Sequence, residues 1–196
     1  MTLLPVLLMV LVIGFAPLAA DAQQGGKTPK IGVLQPGPRP PAWMEGFRQG
    51  LRELGYIESQ SVMIEHRLAR DLNEQFALAT ELVRLNVEVI FTWSTPAVLA
   101  VKRATGTIPI VAITGDPVQI GVAASLGRPG GNVTGIANLD DQLELKRLQL
   151  LKEVVPKASR VAVAWNPANP IWPPVVKRLQ DAAPALGVSL HSVTAR

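Results

Sequence analysis

The sequence contains no cysteine and only two histidines, and each shortage excludes a kind of chemistry. Without cysteine the chain has no disulfide framework, no thiol nucleophile and no thiolate metal site. A lipid anchor attached to an N-terminal cysteine is excluded for the same reason. His66 and His191 stand apart, and no acidic residue lies at ligand spacing from either. Neither a metal site nor a catalytic histidine is therefore expected.

Runs of basic residues are also missing, although 19 Lys and Arg outnumber 15 Asp and Glu and the formal charge is +4. The charges are scattered, and no aromatic residues alternate with Lys or Arg, so nucleic acid is not an expected partner. Residues 127–132 are rich in glycine but lack the Lys-Ser/Thr pair of a phosphate loop. No dinucleotide fingerprint is present either, and no cofactor is expected.

The chain opens with an apolar run that holds no charged side chain before Asp21. The run ends in small residues, and the Ala20-Asp21-Ala22 stretch fits a signal-peptidase site. This pattern predicts a signal peptide over residues 1–22, a linker over 23–29 and export to the periplasm. The alternative is an uncleaved anchor, although an apolar run of about 16 residues is shorter than the roughly 20 that a membrane-spanning helix needs.

From Lys30 onward, short apolar runs alternate with amphipathic segments. The runs have the length of buried strands, whereas the segments between them repeat apolar residues with the period of a helix. The predicted strands are Lys30–Leu34, Val62–Glu65, Val87–Thr92, Ile108–Ile113, Val133–Ile136, Arg160–Ala164 and Val188–Val193. The predicted helices are Ala42–Leu54, Asp71–Asn86, Pro96–Ala104, Val118–Leu126, Gln142–Val155 and Pro173–Leu186. This alternation predicts an α/β fold, a doubly wound parallel sheet with helices on both faces.

The distribution of strands predicts two lobes. Residues 30–137 carry five predicted strands, which is enough for a complete first lobe. Residues 138–196 carry one helix and one βαβ unit, which predicts an incomplete second lobe, with a hinge near Asn138. Within the first lobe, the second helix is expected to begin at Asp71 as N-cap. The apolar residues that share one face of that helix, and that are expected to face the core, are Leu72, Phe76, Ala79 and Val83.

The loops that follow the strands are the expected ligand site, because open parallel sheets bind ligands outside the carboxyl ends of their strands. After the third strand, Ser94 or Thr95 caps a helix whose first backbone N–H groups suit a carboxylate. After the fourth strand, Asp116 precedes Pro117 and either caps the next turn or meets a ligand ammonium.

Two further loops supply candidates of less specific chemistry. The proline-rich loop after the first strand is stiff and offers Gln35 and Trp43, either to a ligand or to the packing of the lobe. After the sixth strand, Asn166 and Asn169 are candidates for hydrogen bonding across a cleft, although asparagine before proline also favours a simple turn. Neither loop brings together an acid, a base and an oxyanion site, so no catalytic residue is predicted.

Several stretches follow one another in an order that resembles a known family. They are Lys30–Leu34, Gly46–Tyr56, Ile108–Val111, Gly115–Val118, Ala124–Gly135 and Arg160–Pro170. Together they resemble the bacterial ABC transporter substrate-binding proteins related to tryptophan-binding and other aromatic-amino-acid-binding components. The resemblance implies a type I periplasmic-binding fold of two lobes that close on a small molecule. It also implies that Ser94-Thr95 and Asp116-Pro117 face the ligand, with Asn166 on the opposing lobe. Many relatives carry glycine where this chain has Ser94.

The resemblance implies an extracytoplasmic solute-binding component of an ABC uptake transporter, without catalysis. The implied partners are a small-molecule ligand, which an amino acid would fit, and the permease subunits in the inner membrane; the expected state is a monomer. Three alternatives remain open from the sequence. They are an α/β enzyme acting on a small metabolite, the ligand-sensing domain of a receptor, and a fragment without function.

Overall fold

A computed structural model of the chain describes residues 28–38, 41–139 and 143–194. Its strands are β1 Lys30–Pro36, β2 Met63–Ala69, β3 Val89–Trp93, β4 Ile110–Thr114, β5 Val133–Ala137, β6 Arg160–Trp165 and β7 Ser189–Thr194. Its helices are α1 Pro41–Glu53, α2 Leu72–Arg84, α3 Thr95–Ala104, α4 Glu144–Val154 and α5 Trp172–Ala182, the last continued by a 3-10 turn at Ala183–Leu186. The proposed signal peptide, residues 1–22, lies outside the described residues. Within the described ranges, no helix is long and apolar enough to cross a bilayer.

The first five strands form one sheet in the order β2-β1-β3-β4-β5, and all of its neighbouring strands are parallel. A parallel neighbour requires a crossover connection. Helices α1, α2 and α3 lie in the connections between the first four strands, whereas β4 and β5 are joined by turns. Helices α2 and α3 pack on one face of the sheet, and α1 packs on the other. The predicted doubly wound α/β fold is therefore confirmed. We call this part of the structure the first lobe.

The larger core of the first lobe lies between the sheet and helices α2 and α3. Leu34, Ile90 and Ile110 from three adjacent strands are fully buried there, against Leu82 of α2 and Val98 of α3. Each is an aliphatic side chain whose complete burial stabilises the fold by about 1.5–3 kcal/mol relative to exposure. The sheet therefore holds the loops at its carboxyl edge on a rigid base.

The opposite face of the sheet carries an aromatic cluster under α1. Phe47 of α1 stacks on Phe91 of β3 with ring centroids 4.9 Å apart and planes only 3° from parallel. Phe91 in turn contacts Trp93, two positions further along the strand, at a centroid distance of 5.6 Å. Side chains two positions apart in a strand share a face, so the cluster extends from beneath the helix toward the carboxyl edge of the sheet.

Strands β6 and β7 form a separate parallel pair, which we call the second lobe together with α4 and α5. Leu148 of α4 and Val175 and Leu179 of α5 pack in its core, with Val161 and Val163 of β6 against them. Val161 and Val163 alternate with more exposed neighbours, as expected of a sheet with one covered face.

Two local predictions were wrong. Residues 118–126, predicted as a helix, form turns. Gly121 at φ 74° takes a left-handed conformation, and a helix does not continue through such a residue.

In α2 the predicted N-cap is confirmed, because Asp71 accepts hydrogen bonds from two backbone N–H groups. The prediction of the buried face of this helix was wrong. The buried residues are Gln75, Ala79 and Leu82. Phe76 is instead 40% exposed and lies under the Arg103 guanidinium.

Candidate functional site

A cavity of about 420 Å³ lies where the carboxyl ends of β3 and β4 meet the second lobe. This is the edge at which open parallel sheets bind ligands. The residues around it are Trp43, Trp93, Ser94, Thr95, Ile113, Thr114, Gly115, Asn138, Glu144, Arg147, Asn169, Ile171 and Trp172. The first lobe supplies the loops after β3 and β4, and the second lobe supplies α4 and the beginning of α5. We call this space the aromatic cavity.

Tryptophan side chains form much of the apolar wall of the aromatic cavity. Trp43, in the first turn of α1, is 51% exposed, and its ring centroid lies 6.4 Å from that of the buried Trp93. The two ring planes are tilted by 41°, so the two rings do not stack on each other. Trp172 at the start of α5 adds a third indole from the second lobe. Such a wall suits a flat, apolar group.

Hydroxyl groups and one close backbone approach form the base of the aromatic cavity. The hydroxyls of Thr95 and Thr114 lie 3.2 Å apart and form a buried hydrogen bond. Beside them, an added Cβ on Gly115 would lie 3.1 Å from two carbons of Ile171, so a glycine here allows the second lobe to approach the first closely. Asn138 donates its backbone N–H to the Thr114 carbonyl at 2.7 Å where the chain leaves β5.

Two opposite charges line the aromatic cavity from the second lobe. Glu144 and Arg147 lie three positions apart in α4 and form an ion pair. They are the only charged side chains among the described residues that line the cavity. Elsewhere in the described ranges, no group of three His, Cys, Asp or Glu side chains is placed to hold a metal ion. The site therefore offers one cation and one anion beside an aromatic wall.

Helix α3 begins at the aromatic cavity with an unusual backbone. Ser94, its N-cap, has φ 70° and ψ 143°, a conformation that glycine adopts readily and other residues do not. The Ser94 side chain makes no capping hydrogen bond, and Pro96 follows in the first turn. The first N–H groups of the helix are thus left without a side-chain cap, and they favour a negative charge in front of the helix.

We expect Ser94→Gly to raise the free energy of unfolding by about 1 kcal/mol, because strain of about 1–3 kcal/mol is relieved while glycine adds disorder to the unfolded chain. Chemical denaturation of the two proteins measures the difference. The matched control is Ser94→Ala, which removes the hydroxyl but keeps the Cβ and should leave stability nearly unchanged. Equal stabilisation by alanine and glycine would contradict strain at Ser94.

A second, more open groove of about 840 Å³ adjoins the aromatic cavity, and both are lined by Ser94 and Asn169. The loops after β1, β2 and β3 face the loop after β6 across it. Its lining residues are Pro36, Gly37, Arg70, Asp71, Leu72, Asn73, Gln75, Ser94, Pro96, Asn166, Pro167, Ala168 and Asn169. We call this space the polar groove, since it carries three carboxamide side chains from the two lobes besides Asn169.

The predicted site residues divide between these two spaces. Trp43, Ser94, Thr95 and Asn169 line the aromatic cavity, whereas Asn166 lines the polar groove together with Ser94 and Asn169. Asn166 and Asn169 also accept hydrogen bonds from the backbone N–H groups two residues onward, as the turn interpretation expected. The structure thus brings five predicted residues to one cleft, and their role in binding stays a prediction.

The remaining predicted residues line neither space. Asp116 accepts hydrogen bonds from the N–H groups of Val118 and Gln119 at 2.9 and 3.1 Å and so supports the turn after β4. Pro117 borders a separate cavity of about 100 Å³ beside β5. Whether Asp116 or Pro117 meets a ligand stays a prediction.

Gln35 is buried and holds the loop after β1 in place. Its amide Nε2 donates to the Gly37 carbonyl at 3.0 Å, which leaves its Oε1 to accept a hydrogen bond from Nε2 of His66 at 2.9 Å. Desolvation of the imidazole, followed by the nearby Arg48 and Arg67 guanidinium groups, lowers the pKa of His66. A neutral ring with its proton on Nε2 fits these bonds, so Gln35 contributes to the cleft through the position of Gly37.

Sequence reasoning missed several polar residues of the cleft, among them Glu144, Arg147 and Gln75. Glu144 and Arg147 were not predicted as site residues, although opposite charges three positions apart are a recognisable pair. Gln75 was missed because the buried face of α2 was placed one position away. The only signal for Gln75 is a polar residue at helical spacing from Ala79 and Leu82.

Comparisons with known proteins agree with this architecture. A sequence model of the family described as ABC transporter substrate binding protein matches residues 30–196. A tyrosine-binding protein of Clostridioides difficile (strain R20291) is 36% identical over 126 residues, which are 62% of this chain and 35% of that protein. A conserved domain protein of Vibrio cholerae is 30% identical, with a TM-score of 0.76 over 86% of this chain and 58% of the other.

An ABC domain from Streptococcus pneumoniae, solved with L-Trp, has a TM-score of 0.72 over 86% of this chain and 58% of its own, at 24% identity, and so shows the shared fold. The chain spans less than two thirds of the length of each of these relatives. A family match over residues 30–196 and a doubly wound parallel sheet lead to one conclusion. The chain belongs to the ABC transporter substrate-binding protein family and has its type I periplasmic-binding fold.

Proposed function

We propose that this chain is the ligand-capturing component of an ABC uptake system and that its ligand is an aromatic amino acid. The observation that carries the proposal is the aromatic cavity, in which three tryptophans surround a space whose described lining has one positive and one negative side chain. A relative named as a tyrosine-binding protein and a structural neighbour solved with L-Trp support this ligand class. The family supports an extracytoplasmic location.

The size of the aromatic cavity suits one small molecule. Its volume of about 420 Å³ falls within the range of about 300–1,000 Å³ of small-molecule sites. Trp43 and Trp93 come from the first lobe and Trp172 from the second, so a ring placed among them contacts both lobes. Such a ligand favours the closed arrangement of the lobes, because it makes its full set of contacts only there.

The charged groups in the cleft match the two ends of an amino acid zwitterion. Arg147 offers a planar set of donors that matches a carboxylate, and the uncapped beginning of α3 favours the same negative group. Glu144 offers a carboxylate to the ligand ammonium. The Glu144–Arg147 ion pair exchanges its internal contact for contacts to the ligand, so that neither charge loses a partner on binding.

Isothermal titration calorimetry of the purified chain tests the proposal. L-Tyrosine, L-tryptophan and L-phenylalanine should bind, and L-leucine and D-ribose should bind weakly or not at all. Tyramine lacks the carboxylate and 3-(4-hydroxyphenyl)propionate lacks the ammonium, so both should bind at least tenfold more weakly than L-tyrosine. Absence of binding by every aromatic amino acid would refute this ligand class, and equal binding of tyramine and L-tyrosine would refute the zwitterion site.

We propose further that the chain is exported to the periplasm after removal of residues 1–22 and acts there as a monomer. The permease subunits of the transporter in the inner membrane are its proposed partners. Family membership supports the extracytoplasmic location and the association with permease subunits. Mass spectrometry of the chain recovered from the periplasm measures the position of cleavage, which we expect to follow Ala22.

A further inference from the structure

We infer that the polar groove is a second ligand subsite, which binds the peptide group and terminal carboxylate of a ligand whose aromatic first residue occupies the aromatic cavity. The chain would then capture dipeptides with an aromatic first residue as well as the free amino acids. This inference rests on the proposed function, since it extends the same ligand beyond its α-carboxyl carbon. It is carried by Gln75, by the continuity of the two spaces and by Arg70.

Gln75 is a buried polar side chain in a place where the fold calls for an apolar one. It is only 4% exposed and shares the buried face of α2 with Ala79 and Leu82, at the end of that face nearest the cleft. Its carboxamide forms no hydrogen bond with the described residues, although it borders the polar groove. The carboxamide atoms are not among the fully buried, unpartnered polar atoms of the described residues, so they keep accessible surface at the groove, where a ligand can reach them.

The chemistry of Gln75 indicates the partner. A carboxamide donates through its nitrogen and accepts through its oxygen, and it therefore complements a peptide group, which also does both. The neighbouring Asn166 and Asn169 have their side-chain oxygens engaged by backbone N–H groups of their own loop. Gln75 differs from these two, because both its donor and its acceptor are available to a ligand, and it differs from Asn73 in belonging to the buried face of α2.

The two spaces are continuous at the beginning of α3. Ser94 and Asn169 border both the aromatic cavity and the polar groove, so one molecule can extend from one space into the other past these residues. The groove, at about 840 Å³, is twice the volume of the cavity and exceeds what the carboxylate of a single amino acid fills. A second residue on the ligand accounts for this space.

The charge of the polar groove favours a carboxylate at its outer end. The guanidinium of Arg70 borders the groove and makes no ion pair or hydrogen bond with the described residues. The one acidic side chain of the groove, Asp71, already accepts two hydrogen bonds from the first turn of α2. A terminal carboxylate on the second ligand residue would meet Arg70, whereas an ammonium there would meet an unpaired positive charge.

The test compares L-tyrosylglycine with L-tyrosine by calorimetry on the wild-type chain and on Gln75→Leu. L-Tryptophan and L-tryptophylglycine are the second pair of probes. We expect the wild-type chain to bind both dipeptides. Gln75→Leu should weaken dipeptide binding about tenfold, because it removes one or two hydrogen bonds to the peptide group. The affinity for the free amino acids should stay the same. Gln49→Leu, which changes an exposed glutamine of α1, is the matched control and should change neither.

A second variant tests the carboxylate contact. Arg70→Gln should weaken L-tyrosylglycine about tenfold but leave its amide, L-tyrosylglycinamide, unchanged, because the amide carries no terminal charge. If Gln75→Leu does not fold, Gln75→Met replaces it with an unbranched apolar side chain. Binding of L-tyrosine without binding of the dipeptide overturns the second subsite and leaves the proposed function intact. Equal dipeptide affinity in wild type and Gln75→Leu also overturns it, and binding of neither probe overturns both proposals.

Discussion

Gly135→Ala is expected to prevent the first lobe from folding. Gly135 lies in β5 opposite Ala112 of β4, and its φ of 143° belongs to the region that favours glycine. A Cβ added there would lie 1.9 Å from the Ala112 carbonyl oxygen and 2.7 Å from the Ala112 nitrogen. Both atoms belong to the backbone of the neighbouring strand, so no change of side-chain rotamer relieves the overlap.

The variant can relieve this overlap only if β5 separates from β4 or if the backbone of residue 135 rotates. Either costs ladder hydrogen bonds and core contacts of Val133, which is 5% exposed. We expect a loss of more than about 4 kcal/mol, against a total stability of about 5–15 kcal/mol for a protein domain. Circular dichroism and urea denaturation of the purified chain measure the loss directly.

Gly46→Ala provides a control with the opposite expected sign. Gly46 lies inside α1, and apart from its chain neighbours and the backbone of its own helix no atom lies within 4 Å of the Cβ that the substitution adds. Alanine in a helix interior is more favourable than glycine by about 0.5–1 kcal/mol, so this variant should be slightly more stable than wild type. A fully folded Gly135→Ala, as stable as Gly46→Ala, would show that β5 does not pair with β4 in this register.

Arg147→Gln is expected to reduce the affinity for L-tyrosine about 10- to 100-fold, since a hydrogen bond to a charged group contributes about 1.5–3 kcal/mol. The side chain of Arg147 is 51% exposed, so solvent screening places the effect toward the lower end of that range. Arg147→Lys keeps the charge but loses the planar pair of donors and should fall between glutamine and wild type.

The loss should depend on the ligand carboxylate. Tyramine lacks this group, and its weak binding should be unchanged by Arg147→Gln. Arg178→Gln, in α5 and away from both spaces, is the matched control and should leave L-tyrosine binding unchanged. Calorimetry on wild type, Arg147→Gln and Arg178→Gln tests whether Arg147 binds the ligand carboxylate. An equal loss of tyramine and L-tyrosine affinity in Arg147→Gln would show that Arg147 stabilises the lobe and does not bind the carboxylate.

Two residues of the loops at the carboxyl edge of the sheet show which features could be predicted from the local sequence. Ser94 was recognised as a helix cap from its position before Thr95 and Pro96, but its left-handed backbone follows from how β3 turns into α3 at the edge of the sheet. Asp116 was recognised as a cap or a ligand contact, and the two hydrogen bonds to its own loop account for the first of these roles.

Helix α2 shows where periodicity is insufficient. Leu72 and Phe76 have the right spacing and hydrophobicity for a core stripe, yet each is more than a third exposed, at 38% and 40%. Two sets of residues are compatible with a helical period of 3.6 residues. One is the predicted apolar stripe of Leu72, Phe76, Ala79 and Val83, and the other is the buried set of Gln75, Ala79 and Leu82. Which set faces the sheet depends on the rotation of the helix against β1 and α3.

The sequence by itself determined the fold class and the edge of the sheet at which we propose that a ligand binds. Alternation of strands and helices requires parallel pairing, and parallel pairing places the loop candidates Ser94, Thr95 and Asn169 at one edge. Only the tertiary structure decided that Glu144 and Arg147 face those loops and that Gln75, on the buried face of α2, borders the groove. These depend on the packing of one lobe or helix against another, through contacts between residues distant in the chain that no local pattern of spacing encodes.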